Sequence, residues 1–231
     1  MSVFKFKKFS IIQEKSAMKV GTDGVLLGCW VSCEKANNIL DIGCGTGLIT
    51  LMLGQRILIG NVTGIEIDKI ASQEAQLNIS NSDWKERIEI KHTSLQEFTS
   101  QLKFDLIVSN PPFFSQNKSQ KSRDIARHTN TLSFEELIDN AANILAEKGI
   151  LSVIIPKDSE EYFCKIAATH KLYCNRVCYI KGNQASEVKR VMMEFSIIKS
   201  IVLTKHLTNE RSRHNYTSKY IQLCKDFYLK M

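Results

Sequence analysis

The sequence has no hydrophobic run long enough to cross a membrane. Its longest strongly apolar stretches, such as residues 57–59 and 150–155, fall far short of the roughly 20 residues that a spanning helix needs. The first residues interleave lysines with aromatic side chains and show neither the apolar segment nor the cleavage site of a secretory signal. These absences predict a soluble, cytoplasmic protein without a membrane partner.

The cysteine pattern supports neither a disulfide framework nor a metal site. The chain has seven cysteines, an odd number, and no secretory context in which disulfides would form. Cys29 and Cys33, like Cys174 and Cys178, have a spacing that suits two ligands on a helix, but structural zinc sites usually use tighter pairs with further ligands nearby. We therefore expect no metal.

Repeats are also absent, and the composition is that of an ordinary globular protein. Apolar residues make up 43% and charged residues 24% of the 231 residues, which argues against a disordered, collagen-like or coiled-coil chain. The length predicts a single domain over residues 1–231.

Positive charge is unevenly distributed along the chain. Lys and Arg number 31 against 24 Asp and Glu, a net charge of +7, and the excess is concentrated in residues 1–20, 115–128, 181–190 and 199–231. The remainder of the chain is net negative. Basic clusters of this kind favour a polyanionic partner such as nucleic acid, because neutralising phosphates releases counterions. The alternative is that lysine simply keeps the surface soluble.

Apolar strands alternate with helical segments along most of the chain, which is typical of an α/β fold. Strands are predicted at residues 38–42, 62–67, 88–91, 104–108 and 150–155, with helices at 48–56, 69–78 and from a Ser133–Glu136 capping box to 145. Because the strands are apolar on both faces, we expect a parallel sheet covered by helices on both sides. Residues 173–180 and 188–198 predict an antiparallel hairpin, and 217–228 a last helix.

Three glycines follow the first strand of the predicted sheet. Gly43, Gly45 and Gly47 allow positive φ angles and a close approach of a ligand to the backbone. Their spacing differs from the G-x-G-x-x-G of dinucleotide-binding proteins, and the preceding Asp41 would repel a pyrophosphate but attract the ammonium of an amino acid. The combination favours S-adenosylmethionine over a dinucleotide, whereas the glycines alone also fit a purely structural turn.

A second acidic residue, Glu66, stands at the end of the next apolar strand, 19 residues beyond Gly47. This spacing is close to the one at which an acidic residue binds ribose hydroxyls, and together with the glycines it predicts a ribose contact. A solvent-exposed acid at a strand end is the simpler alternative. Asp68 is expected to cap the helix that follows.

An Asn-Pro-Pro-Phe sequence follows the fourth parallel strand and contains two of the three prolines of the chain. Adjacent prolines fix the backbone and leave carbonyl groups without neighbouring amide donors. The Asn110 side-chain oxygen and the Pro111 carbonyl can each accept one N–H of an exocyclic amine, which turns the nitrogen lone pair toward an electrophile. Phe113 can stack on the flat group that carries the amine. We therefore predict amine methylation at Asn110, Pro111, Pro112 and Phe113, with alignment supplying most of the rate; an incidental turn is the alternative.

With these motifs the chain resembles the tRNA1(Val) adenine N6-methyltransferase family. The resemblance rests on residues 41–47, Glu66 and residues 110–113, and it extends to residues 19–30, 126–128 and 216–230. It implies a Rossmann-like class I methyltransferase with a mostly parallel seven-stranded sheet and an antiparallel C-terminal hairpin. It also implies S-adenosylmethionine as cofactor and methylation of adenine 37, just 3′ of the anticodon, in a valine tRNA. Residues 1–30 would form an N-terminal extension that packs on the cofactor site.

Carried over by position, the resemblance implies cofactor contacts at Lys19, Thr22, Asp23, Asp41, Gly43, Cys44, Gly45, Gly47, Glu66, Ile67, Ser94, Leu95 and Asn110. Ser94 departs from the family pattern, which usually has an acidic residue there to meet the adenine of the cofactor. A neutral hydroxyl makes a weaker hydrogen bond than a carboxylate. We therefore expect this exchange to affect cofactor affinity more than activity.

The basic segment directly after the Asn-Pro-Pro sequence is expected to contact RNA. Its candidate contacts lie close in sequence to the predicted base-binding residues: Lys118, Lys121, Arg123, Arg127 and His128. The expected partner is the anticodon stem-loop of a valine tRNA, with no obligatory protein partner. Adenine 37 has to leave its stack to reach Phe113.

Other exocyclic amines fit the same motif. Asn-Pro-Pro-aromatic sequences also occur in guanine-N2 methyltransferases of rRNA and in methyltransferases that act on a glutamine of release factors, so the motif does not select among planar amines. The basic termini argue against a protein substrate. A non-catalytic RNA-binding protein of the same fold is a further alternative.

Overall fold

The structure, a computed structural model, describes residues 2–112 and 132–231. Its strands are β1 (Val3–Lys5), β2 (Ser10–Ile12), β3 (Asn38–Ile42), β4 (Asn61–Glu66), β5 (Ile88–His92), β6 (Phe104–Ser109), β7 (Leu145–Pro156), β8 (Tyr173–Asn183), β9 (Val188–Ser196), β10 (Leu203–Ser212) and β11 (Asn215–Tyr216). Its helices are α1 (Thr22–Trp30), α2 (Leu48–Arg56), α3 (Lys69–Ser80), α4 (Phe134–Ile144), α5 (Glu160–Thr169) and α6 (Ser218–Cys224).

The described residues form one nine-stranded sheet, in the order β11-β10-β8-β9-β7-β6-β3-β4-β5, and a separate β1–β2 hairpin. Strands β5, β4, β3, β6 and β7 are parallel, and β8 with β9 is the predicted antiparallel hairpin. The α/β fold class is confirmed. The sheet has more strands than the seven expected, because β10 adds parallel to β8 and β11 pairs with β10. Strand β10 is largely exposed, so its sequence lacks the apolar pattern of a central strand.

Alternating side chains of the central strands fill two hydrophobic cores, one on each face of the sheet. Ile39 and Val108 pack with apolar residues of α1 and α2. Leu40 and Ile107 point the opposite way and pack with residues of α4 and α5. Because both faces are buried, the central strands read as continuous apolar runs.

The starts of α3 and α4 agree with the side-chain caps predicted from the sequence. Strand β3 and helix α2 have the predicted bounds. The Asp68 carboxylate accepts a hydrogen bond of 2.7 Å from the Ala71 amide and caps α3, as predicted. The capping box at α4 is confirmed, since the Ser133 hydroxyl accepts from the Glu136 amide at 3.2 Å and the Glu136 carboxylate accepts from the Ser133 amide at 2.9 Å.

Helix α6 is shorter than predicted, and α1 and α5 are not among the predicted elements. Helix α6 ends at Cys224 rather than at residue 228. After Cys224 the chain turns, and the Phe227 amide donates to the Cys224 carbonyl at 3.0 Å. Residues 24–30 of α1 are all buried. A helix that is buried on every side shows no amphipathic period by which the sequence would reveal it.

The two ends of the chain lie against each other. Phe6 forms an isolated antiparallel bridge with Tyr228, and the Lys7 amide donates to the Phe227 carbonyl at 2.8 Å. The aromatic rings of Phe4, Phe6 and Tyr228 pack together next to this bridge. None of the helices in the described part of the chain is long and apolar enough to span a membrane.

Candidate active site

The predicted motifs meet at the carboxyl ends of β3, β4 and β6. These strands are adjacent and parallel, so the segments that follow them emerge at one edge of the sheet. Residue Ile42 pairs with Ser109, and the Ser109 hydroxyl donates a hydrogen bond of 2.9 Å to the Ile42 carbonyl. This contact joins the start of the glycine loop (residues 43–47) to the residue before Asn110. Ligands of open α/β sheets bind at this kind of edge.

The glycine loop is shaped for a close backbone approach. Gly43, Gly45 and Gly47 have φ angles of +70°, +56° and +84°, a region that other L-residues rarely adopt. A Cβ atom at Gly43 or Gly45 would meet no atom within 4 Å, so space remains beside the loop. The amides of Gly43 and Cys44 donate to the Ile65 carbonyl at 2.9 and 3.0 Å, which folds the loop over the end of β4.

The Asp41 carboxylate is fully buried, and one of its two oxygens accepts a hydrogen bond. Its Oδ2 accepts a hydrogen bond of 2.6 Å from the Thr50 hydroxyl, whereas Oδ1 is buried and finds no partner among the residues that the structure describes. Burial raises the pKa of this carboxyl to about 7; the contact with Thr50 opposes the rise and the nearby Glu66 carboxylate adds to it. An unpaired buried acid is unfavourable, so Asp41 provides a strong acceptor for a cationic or hydrogen-bond-donating ligand.

Glu66 connects the glycine loop to α3. Its Oε2 accepts from the Gly45 amide at 2.8 Å and its Oε1 from the Asp68 amide at 2.8 Å. A carboxylate has about four lone-pair sites, so each oxygen can still accept one hydroxyl. The two backbone contacts fix the orientation of the carboxylate, which is compatible with the predicted ribose role.

Asn110 has a buried acceptor at the same edge. Its Oδ1 has no hydrogen-bond partner among residues 2–112 and 132–231, and its Nδ2 lies 4.0 Å from the position that a Cβ on Gly24 would occupy. Helix α1 therefore packs closely beside the amide through a residue without a side chain. Pro111 is buried and Pro112 is exposed, whereas Phe113 lies outside the described residues.

Further residues predicted to contact the cofactor lie around the ends of β4 and β5. Ile67 exposes 44% of its surface beside Glu66, and Leu95 is buried. The Ser94 hydroxyl accepts from the Glu97 amide at 3.2 Å and donates to the Glu97 carboxylate at 3.1 Å, which leaves it one free acceptor position. Cys44 is buried, and burial together with the Asp41 and Glu66 carboxylates raises its pKa well above the ordinary value, so it remains a neutral thiol.

The N-terminal candidates make protein contacts of their own. The Lys19 ammonium donates to the carbonyls of Gln13 and Glu14. Thr22 is exposed at the start of α1. Asp23 forms an ion pair of 2.7 Å with Arg190 of β9. The sequence shows only that residues 181–190 are basic and does not indicate this pairing, because the two residues are 167 positions apart.

The candidate RNA contacts Lys118, Lys121, Arg123, Arg127 and His128 lie outside the described residues. Within residues 2–112 and 132–231, no group of three or more His, Cys, Asp or Glu side chains is arranged to hold a metal ion.

The fold resembles those of solved methyltransferases. A predicted O-methyltransferase of Agrobacterium tumefaciens superimposes with a TM-score of 0.67 at 21% identity, covering 89% of this chain and 96% of the other. The N-methyltransferase NodS of Bradyrhizobium japonicum superimposes with a TM-score of 0.53 at 22% identity, covering 74% and 90%. Residues 16–169 match the family model of the methyltransferase small domain. The match to this family model identifies the chain as a methyltransferase.

Relatives that align with the whole length of the chain show which kind of methyltransferase it resembles. Proteins of Christiangramia forsetii and Flavobacterium psychrophilum are 44% and 47% identical, each over 99% of this chain and over 98% and 100% of their own lengths. A protein of Pseudoalteromonas translucida is 41% identical over the full length of both chains. All three are named tRNA1(Val) (adenine(37)-N6)-methyltransferase. The chain belongs to this family.

Proposed function

We propose that the protein transfers a methyl group from S-adenosylmethionine to N6 of adenine 37 in tRNA1(Val). The observation that carries the proposal is a pair of buried oxygens at one edge of the sheet, Asp41 Oδ1 and Asn110 Oδ1, for which the described part of the chain provides no hydrogen-bond partner. One fits a cationic amino-acid group and the other fits an amine donor. The names of the full-length relatives support the choice of substrate.

The residues present fit S-adenosylmethionine. Asp41 would accept from its ammonium, Glu66 would bind the ribose hydroxyls, and the open space beside Gly43 and Gly45 leaves room for the ligand. Ile67 offers an exposed apolar surface next to Glu66. When bound, this cofactor supplies an electrophilic methyl group on a sulfonium.

Asn110 and Pro111 would orient the amine that receives the methyl group. Each oxygen would accept one N–H, which aims the nitrogen lone pair along the axis of the bond being broken. The cofactor would supply its methyl group to this nitrogen in exchange for the bond to sulfur, and the methylated amine would then lose a proton to water. Because no strong base is required, alignment supplies most of the acceleration, up to about 7–11 kcal/mol for well-oriented groups.

The tRNA is proposed to lie along the same edge of the sheet. Lys181 and Lys189 flank the turn between β8 and β9, and this turn opens at the carboxyl end of the parallel strands. The residues after the Asn-Pro-Pro sequence, Lys118, Lys121, Arg123, Arg127 and His128, are proposed as contacts to the anticodon stem-loop. Such contacts would make binding depend on salt.

The test is the identity of the methylated nucleotide. The protein is incubated with labelled S-adenosylmethionine and tRNA that lacks the modification, and the digest is expected to contain label in N6-methyladenosine at position 37. Label in guanine N2 of rRNA or in a release-factor glutamine would assign another amine substrate. Cofactor binding without any transfer would indicate a non-catalytic RNA-binding protein.

Asn110→Ala should lower the rate of methyl transfer by about 100-fold or more, while the affinity for the cofactor changes little. The expected loss is of the order found when one positioned hydrogen-bonding group is removed from an active site. Asn61→Ala is the matched control, because Asn61 is the first residue of β4 and lies at the opposite edge of the sheet from the candidate site. This variant should transfer the methyl group at the normal rate. Equal turnover in Asn110→Ala would refute its assigned role.

A further inference from the structure

Helix α3 holds a buried carboxylate and a buried amide that the proposed reaction does not use. Glu74 and Asn78 are one helical turn apart and only 8% and 2% exposed. We propose that these two side chains are positioning residues that assemble the cofactor site by clamping residues 12–16 against the glycine loop. The proposal rests on the proposed function in so far as it takes the glycine loop as the cofactor site.

Glu74 is bound by three consecutive backbone amides. Its Oε1 accepts from Glu14 and Lys15 at 2.8 and 2.7 Å, and its Oε2 accepts from the Ser16 amide at 3.1 Å and from the Ser16 hydroxyl. Successive amides that converge in this way form an anion-binding nest. Burial opposes ionisation of the carboxyl, but the hydrogen bonds from residues 14–16 outweigh it and lower the pKa of Glu74, so the clamp is charged at neutral pH.

Asn78 joins the same segment to the glycine loop. Its Oδ1 accepts from the Ile12 amide at 2.8 Å, and its Nδ2 donates to the Ile12 carbonyl at 3.0 Å and to the Thr46 carbonyl at 2.9 Å. Thr46 lies between two glycines of the loop. One side chain therefore bridges the N-terminal segment and the loop that would hold the cofactor.

The clamp extends to the residues that enter α1. The Val20 amide donates to the Gln13 side chain at 2.6 Å, and the Lys19 ammonium donates to the carbonyls of Gln13 and Glu14. Residues 19–23 are thus attached to a segment that α3 holds in place. The Asp68 cap of α3 stands two residues after Glu66 and donates its amide to the Glu66 carboxylate. A single helix therefore sets the relative positions of the proposed ribose-binding acid, the glycine loop and the N-terminal segment.

A purely stabilising role predicts a different choice of side chains. Replacing buried charged groups by well-packed apolar ones is often neutral or stabilising, so burial alone gives no reason for a carboxylate here. Directional hydrogen bonds fix geometry in a way that apolar packing does not. A protein whose clamp is loosened should fold and still populate the binding-competent arrangement for only a fraction of the time, which raises the apparent Kd by the inverse of that fraction.

The test compares Glu74→Gln with Glu194→Gln. Glutamine keeps one acceptor but places an N–H group against the Ser16 amide. Glu194 is a matched control: it is 5% exposed and accepts from the Ser32 amide at 2.7 Å and from Arg176 at 3.1 Å, but it lies three strands from β3 in the sheet, about 14 Å away.

In Glu74→Gln we expect the Kd of S-adenosylmethionine, measured by calorimetry, to rise about tenfold. This rise corresponds to a variant in which about one tenth of the molecules have the binding-competent arrangement. Amide hydrogen exchange at residues 12–16 should accelerate, while kcat at saturating cofactor stays within about twofold. Glu194→Gln should change neither the Kd nor exchange at residues 12–16. Asn78→Asp keeps the acceptor for the Ile12 amide but loses the donor to the Ile12 and Thr46 carbonyls, and it should also raise the Kd.

An unchanged Kd in both α3 variants, or an equal rise in Glu194→Gln, would overturn the proposal. The Kd and the hydrogen exchange are both measured without RNA. If tRNA methylation fails in the unaltered protein while the Kd still rises in the α3 variants, the proposed reaction is wrong and the clamp stands.

Discussion

Replacing Asp41 by asparagine tests the electrostatics of the candidate site directly, because the side chain keeps its shape and loses its charge. The carboxyl is fully buried, Oδ2 accepts from Thr50, and Oδ1 has no partner within residues 2–112 and 132–231. An asparagine oxygen can still accept from the Thr50 hydroxyl. The variant therefore differs from the unaltered protein mainly in the charge at Oδ1.

The magnitude follows from the raised pKa of Asp41. A rise from 3.8 to about 7 corresponds to about 4 kcal/mol, since each tenfold change in an ionisation equilibrium is worth about 1.4 kcal/mol. Because the folded state binds this proton more tightly than the unfolded state, the stabilising contribution is complete below about pH 4 and is lost as the pH rises to about 7. Asp41→Asn should be more stable than the unaltered protein at pH 8, by up to about 4 kcal/mol, and similar to it near pH 4.

Cofactor binding should show the opposite dependence. Ionised Asp41 would pair with the ammonium of S-adenosylmethionine, so affinity should increase as the pH rises through about 7 and then level off. A charge-assisted hydrogen bond is worth about 1.5–3 kcal/mol, which predicts a Kd about 10- to 100-fold higher in Asp41→Asn.

Two assays measure these effects on the same samples: denaturant unfolding followed by circular dichroism, and calorimetric titration with the cofactor. Asp105→Asn is the control, because Asp105 accepts from the amides of Asn37 and Asn38 at 2.9 and 3.0 Å, at the other end of the strands. If Asp41→Asn keeps the pH dependence of the unaltered protein in both assays, the electrostatic reasoning is wrong.

Two further predictions concern the loop and the RNA surface. Gly45→Ala should lower the free energy of unfolding by about 1–2 kcal/mol because φ is +56°, and its methyl group should also reduce cofactor affinity. Gly182→Ala is the control: φ is not positive there, the nearest atom lies 3.6 Å from the new Cβ, and this variant should bind the cofactor normally. Lys181→Ala combined with Lys189→Ala should weaken tRNA binding and reduce the slope of log K against log salt by about 2. An unchanged slope would exclude both lysines as phosphate contacts.

Much of the fold and part of the site follow from interactions between neighbours in sequence. The caps of α3 and α4 were predictable because Asp68 and Ser133 bond to amides three residues away. The central strands were predictable because burial on both faces imposes continuous apolar runs. The order of these strands and the loops at their ends then place Asp41, Glu66 and Asn110 at one edge.

The sequence by itself determined where these strands and caps lie and which motifs end at the sheet, because the forces involved act within a few residues. Only the tertiary structure decided which polar atoms stay unpaired, that Glu74 and Asn78 hold a segment about 60 residues earlier in the chain, and that β10 extends the sheet. Hydrogen bonds between distant segments depend on how the chain packs, and a buried Glu on a helix carries no sequence signal of its partner.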